Sequence, residues 1–337
     1  MRRQNKGGIG CLSVALFTLP LVAQSSTWRD PSPHKVHFVT VESGVKVEVL
    51  DWGGIGRPFV LLAGGGDTAH VFDEFAPKLR SLTHGHIYAI TRRGFGASGY
   101  APTSEPADRL GEDVLAVLES LKLKRPILVG HSIAGAEMSW IANNHPDSIS
   151  GLVFLEAGYS YAFDDGHGAN VMDMMALHAP QPPPPTPSDL ASFGALEDYN
   201  ERVNGFRSPE AELRQEWRVT PTGAVGDRID SPGGTMLMTL ITHPNKYSRE
   251  PVPALFIFAD PHSLGIWVDD STDPAIRAAA SAYSTSLSAL AEKQEQAVRN
   301  GLPTAKVITI PHANHYVFLS NEGAVLMEIR AHIHALH

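Results

Sequence analysis

The sequence is almost free of cysteine, since Cys11 is the only one among 337 residues. It lies in an N-terminal segment that we expect to be removed, so disulfides, thiolate metal sites and a cysteine nucleophile are excluded from the mature chain. Basic residues are also scarce, because 27 lysines and arginines face 36 aspartates and glutamates, a net charge of −9. We therefore expect no nucleic-acid partner. Stability must come from a hydrophobic core, which a chain of this length can bury.

The first residues have the pattern of a secretory signal peptide. Arg2, Arg3 and Lys6 precede an apolar stretch at residues 9–23, and polar residues follow it. This order predicts a signal peptide at residues 1–23 and an exported protein, either periplasmic or secreted, without stable membrane insertion after cleavage. The alternative is an uncleaved signal that anchors the chain in the membrane, although the stretch is short for a full span.

Six short runs of apolar residues predict strands that are buried on both faces, as in a parallel sheet. They are residues 59–62, 87–90, 126–129, 152–155, 254–258 and 307–310. Partly alternating residues at 36–41 and 45–50 predict a strand pair before them. Helical patterns occur at 113–121, 133–143, 274–300 and 321–334. The alternation of strands and helices predicts an α/β fold with a mostly parallel, doubly wound sheet.

One long block interrupts this alternation. Residues 161–250 contain no clean strand run, include a proline run at 182–185, and are too many for a single loop. We interpret this block as an inserted, mostly helical cap. The core domain would then comprise residues 34–160 and 251–337.

A serine lies where a buried strand is expected to meet a helix, in the segment Gly130-His131-Ser132-Ile133-Ala134. A nucleophile on such a tight turn needs strained backbone and small residues two positions on either side, here Gly130 and Ala134. The helix that follows would present the Ile133 amide to developing negative charge. We predict that Ser132 is a catalytic nucleophile.

These residues resemble the nucleophile elbow of the α/β-hydrolase superfamily, whose pattern G-x-S-x-G ends here in Ala134. The segment 92–98, Arg-Arg-Gly-Phe-Gly-Ala-Ser, resembles the family's D-x-R-G-x-G-x-S loop, with Thr91 in place of the aspartate. The resemblance extends over about residues 35–337 and implies the α/β-hydrolase fold. It also implies that the Gly65 amide, in the glycine-rich segment after the family's third strand, joins the Ile133 amide in an oxyanion hole.

The resemblance also suggests the base and the acid of a catalytic triad. His315 lies after the last predicted strand, where the family's catalytic histidine falls, and His312 is its rival. Two carboxylates are candidates for the acid: Glu156 after the family's sixth strand, and Asp260 after the seventh. Either one can orient a histidine, and the alternatives stay open at this point.

These features predict a serine hydrolase that cleaves a small-molecule ester, or as a second choice an amide or lactone, through an acyl-serine intermediate. Carbon–carbon bond hydrolysis or cofactor-free perhydrolysis on the same site is an alternative. A non-catalytic binding protein on this fold is another. We expect no cofactor and no metal ion. Glu137, on the helix after the nucleophile, is interpreted as an ordinary helical residue.

Overall fold

The computed structural model describes residues 28–336, and the predicted signal peptide lies outside the described residues. Within residues 28–336, every helix is too short or too polar to serve as a membrane span.

An eight-stranded sheet forms the centre of the molecule. Its strands, whose ranges are given next, lie side by side in the order β1-β2-β4-β3-β5-β6-β9-β10. Strands β1 to β6 are Lys35–Glu42, Val45–Gly53, Pro58–Leu62, His86–Ile90, Ile127–His131 and Gly151–Leu155. Strands β9 and β10 are Ala254–Ala259 and Lys306–Ile310. Strand β2 pairs antiparallel with β1 and β4, and every other neighbouring pair is parallel. The predicted mostly parallel sheet is therefore confirmed.

Both faces of this sheet are buried, which explains the uninterrupted apolar runs. In β6, Leu152 and Phe154 pack into one core, whereas Val153 and Leu155 pack into the core on the opposite face. Successive side chains of a strand point to opposite faces, so a strand covered on both sides must be apolar at every position.

Helices cover both faces of the sheet. Before the insertion they are α1 (Phe75–Thr83), α2 (Pro106–Ser120) and α3 (Ala134–Asn144), and the short 3₁₀ helices are Ala69–Phe72 and Pro146–Ser148. After the insertion they are α8 (Ile266–Asp269), α9 (Pro274–Gly301), α10 (Val317–Ser320) and α11 (Glu322–Ala335). The sequence analysis missed α1, and α2 begins at Pro106 rather than at residue 113, because a proline suits the first turn of a helix.

The insertion between β6 and β9 contains helices α4 (Val171–Met175), α5 (Phe193–Asn204), α6 (Glu210–Glu216) and α7 (Gly234–Thr242). It also contains a short antiparallel pair, β7 (Trp217–Val219) and β8 (Val225–Arg228), in a region where the sequence showed no strand pattern. These strands have three and four residues, which is too short for a periodic signal. A small core of its own supports the insertion, formed by Phe193, Leu196, Leu213 and Val225.

Candidate active site

Ser132 occupies the turn between β5 and α3, with its backbone in the left-handed region at a φ of 51°. Its amide donates to the carbonyl oxygen of Leu155 at 3.1 Å, which ties the turn to the end of β6. A non-glycine residue pays an energetic cost for this conformation, and such strain persists where the surroundings impose it. The turn therefore has the strained geometry that the sequence predicted for a nucleophile.

Small residues are required around this turn. A methyl group on Gly130 would lie 2.6 Å from the sulfur of Met138 and 3.0 Å from the Cβ atom of Ala134. A methyl group on Gly135 would lie only 2.1 Å from the carbonyl oxygen of Ala157. Glycine at these two positions lets α3 approach the ends of β5 and β6 closely, whereas the methyl group of Ala134 is accommodated.

The two predicted oxyanion donors are neighbours. A methyl group built on Gly65 would lie 3.6 Å from Cγ2 of Ile133, so the glycine-rich loop runs beside the elbow. Ile133 is the residue directly before α3, and amides at this position carry the positive end of the helix dipole. The structure thus places the two residues that carry these amides next to each other at the elbow.

Arg92 holds the glycine-rich loop in place. Its guanidinium donates to the carbonyl oxygens of Ala63 at 2.8 Å and Gly64 at 3.0 Å, and to the carboxylate of Glu137 at 2.7 Å. The interpretation of Glu137 as an ordinary helical residue is wrong, because it is buried and forms this ion pair. The hydrophobic pattern of α3 did not reveal it, since the partner lies 45 positions earlier in the chain.

His315 and Glu156 form the histidine–carboxylate pair of the site. Nδ1 of His315 lies 3.2 Å from Oε2 of Glu156. The same histidine lies over the elbow, because its carbonyl oxygen is 3.1 Å from Nε2 of His131 and the two rings are 4.8 Å apart. Its rival His312 is exposed on the surface.

Asp260 does not take the place of this acid. Its carboxylate accepts a hydrogen bond from the Ser288 hydroxyl of α9 at 2.5 Å. Strands β6 and β9 are neighbours, so both carboxylates come to the same edge of the sheet, but only Glu156 is directed at His315. The geometry thus favours Glu156 over Asp260 as the acid partner of His315.

Glu156 is fully buried and accepts several hydrogen bonds. The Ala259 amide donates to Oε1 at 2.6 Å, and the Tyr159 hydroxyl donates to Oε2 at 2.9 Å. Nε2 of His262 lies 2.6 Å from Oε2 as well. Burial alone would raise the pKa of Glu156, but His262 and His315 more than offset it and hold this pKa well below its ordinary value. Glu156 is therefore ionised at neutral pH.

His262 is the unexpected member of this group. It lies after β9, two residues beyond the candidate acid Asp260. Burial lowers the pKa of His262, but the charge and hydrogen bond of Glu156, together with the charge of Asp260, raise it above its ordinary value. The sequence did not reveal this histidine as part of the site, because nothing in the local sequence shows that it contacts a carboxylate 106 positions earlier.

The pKa of His315 is shifted in the opposite direction. Enclosure by protein atoms lowers it, the bond to Glu156 raises it, and the nearby His131 and His262 lower it again, so the net shift is downward from 6.5. The side chain is still 42% exposed, so a substrate can reach it. A neutral imidazole at neutral pH is the form that accepts a proton from a serine.

Tyr161 lies beside the nucleophile and was not recognised in the sequence. It is buried, and the Ser132 side chain is close enough to its hydroxyl to lower the pKa of the phenol. Burial and the Glu156 charge raise the pKa of Tyr161 far above its ordinary value, so the phenol remains protonated. No motif surrounds this tyrosine, and its contact with Ser132 depends on the path of the loop after β6.

A cavity of about 370 Å³ opens at the glycine-rich loop. Gly65, Gly66 and Phe95 line it from the core domain, and Glu216 and Arg228 line it from the insertion. Because the cavity lies between Gly65, a predicted oxyanion donor, and the insertion, it is a suitable place for a small substrate.

A larger hollow, of about 960 Å³, lies elsewhere and is lined by Pro58, Pro253 and Lys306. These residues are at or next to the amino ends of β3, β9 and β10. In a parallel sheet ligands bind at the carboxyl ends of the strands, where Ser132 and Glu156 are. We therefore place the candidate site at the carboxyl ends of the strands, on the side of the smaller cavity, and not at the larger hollow.

The group Glu156, His262 and His315 brings three possible metal-ligand atoms within 4.8 Å of one another. Both oxygens of Glu156 already accept hydrogen bonds, and each histidine directs one ring nitrogen at Oε2. We interpret these three residues as a hydrogen-bonded group that supports the predicted nucleophile, Ser132.

Comparisons with known proteins give a consistent result for the fold. The non-heme chloroperoxidase of Streptomyces lividans is 32% identical over 122 residues, which is 35% of this chain and 44% of that protein. The bifunctional esterase/perhydrolase of Acinetobacter calcoaceticus is 30% identical over 122 residues, 36% of this chain and 44% of that protein. The chain thus spans half or less of the length of the curated relatives it matches.

A solved structure, that of an E-2-(acetamidomethylene)succinate hydrolase, superposes with a TM-score of 0.61 over 89% of this chain and 99% of that one. At 18% identity this similarity shows the fold alone. The sequence profile of the family described as "Alpha/beta hydrolase family" matches residues 59–328, which is most of the chain and includes Ser132, Glu156 and His315. The chain belongs to the alpha/beta hydrolase family.

Proposed function

We propose that the protein is a serine hydrolase that cleaves a small-molecule carboxylic ester, or as a second choice an amide or lactone. The observation that carries this proposal is the buried carboxylate of Glu156, 3.2 Å from a histidine whose ring lies next to His131 of the strained serine turn. A serine hydroxyl is a weak nucleophile until a base accepts its proton, and a base works best when a carboxylate fixes its orientation.

In the proposed reaction, Oγ of Ser132 attacks the carbonyl carbon of the ester while His315 accepts the hydroxyl proton. The Gly65 and Ile133 amides donate to the oxygen that becomes negative in the tetrahedral intermediate. Glu156 stabilises the imidazolium form of His315. The intermediate collapses with cleavage of the bond to the alcohol oxygen, and His315 returns its proton to that leaving group.

Water then hydrolyses the acyl-serine, with His315 acting first as a base and then as an acid. A water molecule attacks the acyl carbon as His315 accepts one of its protons. The second tetrahedral intermediate releases the carboxylic acid, and the proton returns from His315 to Ser132. Each residue is used twice, and no cofactor takes part in this scheme.

The test is labelling with a fluorophosphonate probe, followed by mass spectrometry of the labelled peptide and assays on p-nitrophenyl esters. We expect the label on Ser132 and its loss in Ser132→Ala. His315→Gln should abolish turnover, whereas the matched change His312→Gln at the exposed histidine should preserve it. Undiminished esterase activity in Ser132→Ala, or no labelling of the folded wild type, would refute the proposal and favour a non-catalytic binding protein.

A second candidate is perhydrolysis on the same site, because one relative is named a bifunctional esterase/perhydrolase and another a chloroperoxidase. Hydrogen peroxide would then attack the acyl-serine in place of water and release a peracid. Peracid formation from acetate or propionate esters and peroxide distinguishes the two; with bromide added, the peracid oxidises bromide and the product brominates monochlorodimedone. Bromination that depends on Ser132 supports the perhydrolase activity, and hydrolysis without bromination excludes it.

We also propose that the protein is exported, because residues 1–23 have the order of charged, apolar and polar segments of a signal peptide. Cell fractionation and N-terminal sequencing test this directly. A mature N-terminus near residue 24 in the exported fraction supports cleavage, and an intact N-terminus in the membrane fraction supports the anchored alternative.

A further inference from the structure

A second cluster of buried histidines and aspartates lies outside the active site. Asp30 and His34 precede β1, and His70 and Asp73 lie on and directly after the 3₁₀ helix Ala69–Phe72. The side chains of His34, His70 and Asp73 are 4%, 8% and 5% exposed, and that of Asp30 is 20% exposed. The catalytic scheme uses none of these four residues.

One hydrogen bond lies within this cluster, between Nδ1 of His70 and Oδ2 of Asp73 at 3.0 Å, but three other buried polar atoms are close to possible partners without forming hydrogen bonds. Nδ1 of His34 lies 3.2 Å from Oδ1 of Asp73, and neither atom has a hydrogen-bond partner among the described residues. Oδ2 of Asp30 lies 3.1 Å from Nδ1 of His70 and also has none. Unpartnered buried polar atoms are costly, so their convergence requires an explanation.

The spacing of these atoms suits a single metal ion. The four residues each offer one ligand atom, and all four atoms lie within 4.8 Å of one another. A tetrahedral zinc site with bonds of about 2.0 Å has ligand atoms separated by about 3.3 Å. The measured separations of 3.2 Å and 3.1 Å are close to this value. Two carboxylates and two neutral imidazoles would also balance the charge of a divalent ion.

Neighbouring groups support the ligands from outside. The Ser32 amide donates to Oδ1 of Asp30 at 2.8 Å, which leaves Oδ2 directed at the cluster. The Trp52 indole donates to the Ser32 hydroxyl at 3.0 Å, and its ring lies edge-on to His34 at 5.3 Å. Oε1 of Glu48 lies 4.0 Å from Nε2 of His70. Such outer contacts orient ligands in metal sites.

We propose that Asp30, His34, His70 and Asp73 bind one divalent transition-metal ion, with zinc as the ion that this donor set and spacing fit best. The ion would join the segment before β1 to the 3₁₀ helix that starts four residues after Gly65. Its role would be structural, since four protein ligands leave no open position for a substrate. The proposal is independent of the proposed hydrolase activity and replaces the expectation that the chain binds no metal.

Metal content tests this directly. The full chain is produced without a histidine tag, supplied with zinc, dialysed against metal-free buffer and analysed by inductively coupled plasma mass spectrometry. We expect about one zinc ion per folded chain, and its loss in the double variant His34→Gln, Asp73→Asn. The matched control is His37→Gln, which changes a histidine that is 42% exposed and 3.6 Å from Asp51, and it should retain the ion.

Two further measurements remain informative if the double variant folds poorly. Cobalt substituted into the wild-type chain should give the intense visible absorption of tetrahedral coordination, and zinc should displace it. A chelator should lower the Tm of the wild type and of His37→Gln but not that of His34→Gln. The proposal is overturned if the folded wild type retains no metal, or if the bound metal persists in the double variant. It is also overturned if the chelator leaves the wild-type Tm unchanged, since the cluster is then a set of histidine–aspartate ion pairs.

Discussion

His315 and Glu156 are in contact although 159 positions separate them in the chain, with 3.2 Å between Nδ1 and Oε2. The carboxylate follows β6 directly, and its own backbone is in the left-handed region at a φ of 51°. This turn directs the side chain across the carboxyl ends of the strands toward the histidine loop after β10. The contact determines which carboxylate can serve the proposed base.

The first prediction compares the two carboxylates. Glu156→Gln should lower kcat by roughly 10²–10⁴-fold, because a neutral amide no longer stabilises the imidazolium form of His315. The matched change Asp260→Asn should alter kcat by less than about threefold, since an amide oxygen can still accept the bond from Ser288. Steady-state kinetics on p-nitrophenyl esters, with circular dichroism to verify folding, measure both. A larger loss in Asp260→Asn than in Glu156→Gln would contradict the assignment.

The second prediction concerns pH. His315 must be neutral to accept a proton, so kcat/KM should rise as pH increases through the His315 pKa. The net shift of that pKa is downward from 6.5, so the midpoint of this rise should lie below pH 6.5. A midpoint above pH 7 in the pH profile of kcat/KM would be inconsistent with the observed surroundings of the ring.

The third prediction assigns the effect of His262 on that profile. The charge on His262 lowers the pKa of His315, so His262→Asn should move the midpoint of the kcat/KM profile to higher pH. If His262 has a purely structural role, this substitution should change the plateau value of kcat/KM and leave the midpoint in place. His312→Asn, at the exposed histidine, is the control and should leave the midpoint unchanged. A midpoint that is unchanged or moves to lower pH in His262→Asn would show that the charge of His262 does not lower the pKa of His315.

The fourth prediction separates stability from catalysis at Arg92. Arg92→Met leaves Glu137 buried without its partner and should cost about 3–5 kcal/mol of unfolding free energy. The double change Arg92→Met, Glu137→Leu removes both charges and should recover most of this loss. The carbonyl oxygens of Ala63 and Gly64 still lack the Arg92 donor in the double variant, so kcat should remain low. Denaturant unfolding and kinetics on the same samples test this, and full recovery of kcat would disprove the loop-holding role.

The fifth prediction tests the close packing of the elbow. Gly135→Ala places a methyl group about 2.1 Å from the carbonyl oxygen of Ala157, so backbone must move. We expect a loss of roughly 1–3 kcal/mol of unfolding free energy. Gly323→Ala, in helix α11 with no atom within 4 Å of the new methyl group, is the matched control. It should be neutral or stabilising by up to about 1 kcal/mol. Equal effects in thermal unfolding would show that the packing at Gly135 is not tight.

The sequence by itself determined the features that depend on neighbouring residues. Buried runs such as 152–155 identify strands covered on both faces, because every position of such a strand must be apolar. Gly130, Ser132 and Ala134 identify the elbow, because a strained turn tolerates only small side chains around it. The sequence did not predict the short β7 and β8, since strands of three and four residues are too short to show a periodic alternation of apolar residues.

The tertiary structure alone decided the contacts between distant segments. Glu156 and Asp260 follow neighbouring parallel strands, so both reach the same edge, and only the backbone turn at Glu156 and the packing of Asp260 against α9 distinguish them. The partnership of Arg92 with Glu137 and the convergence of His34 with Asp73 have the same origin. Such contacts form between segments that are distant in the sequence, and no local pattern of residue types shows which segments will meet.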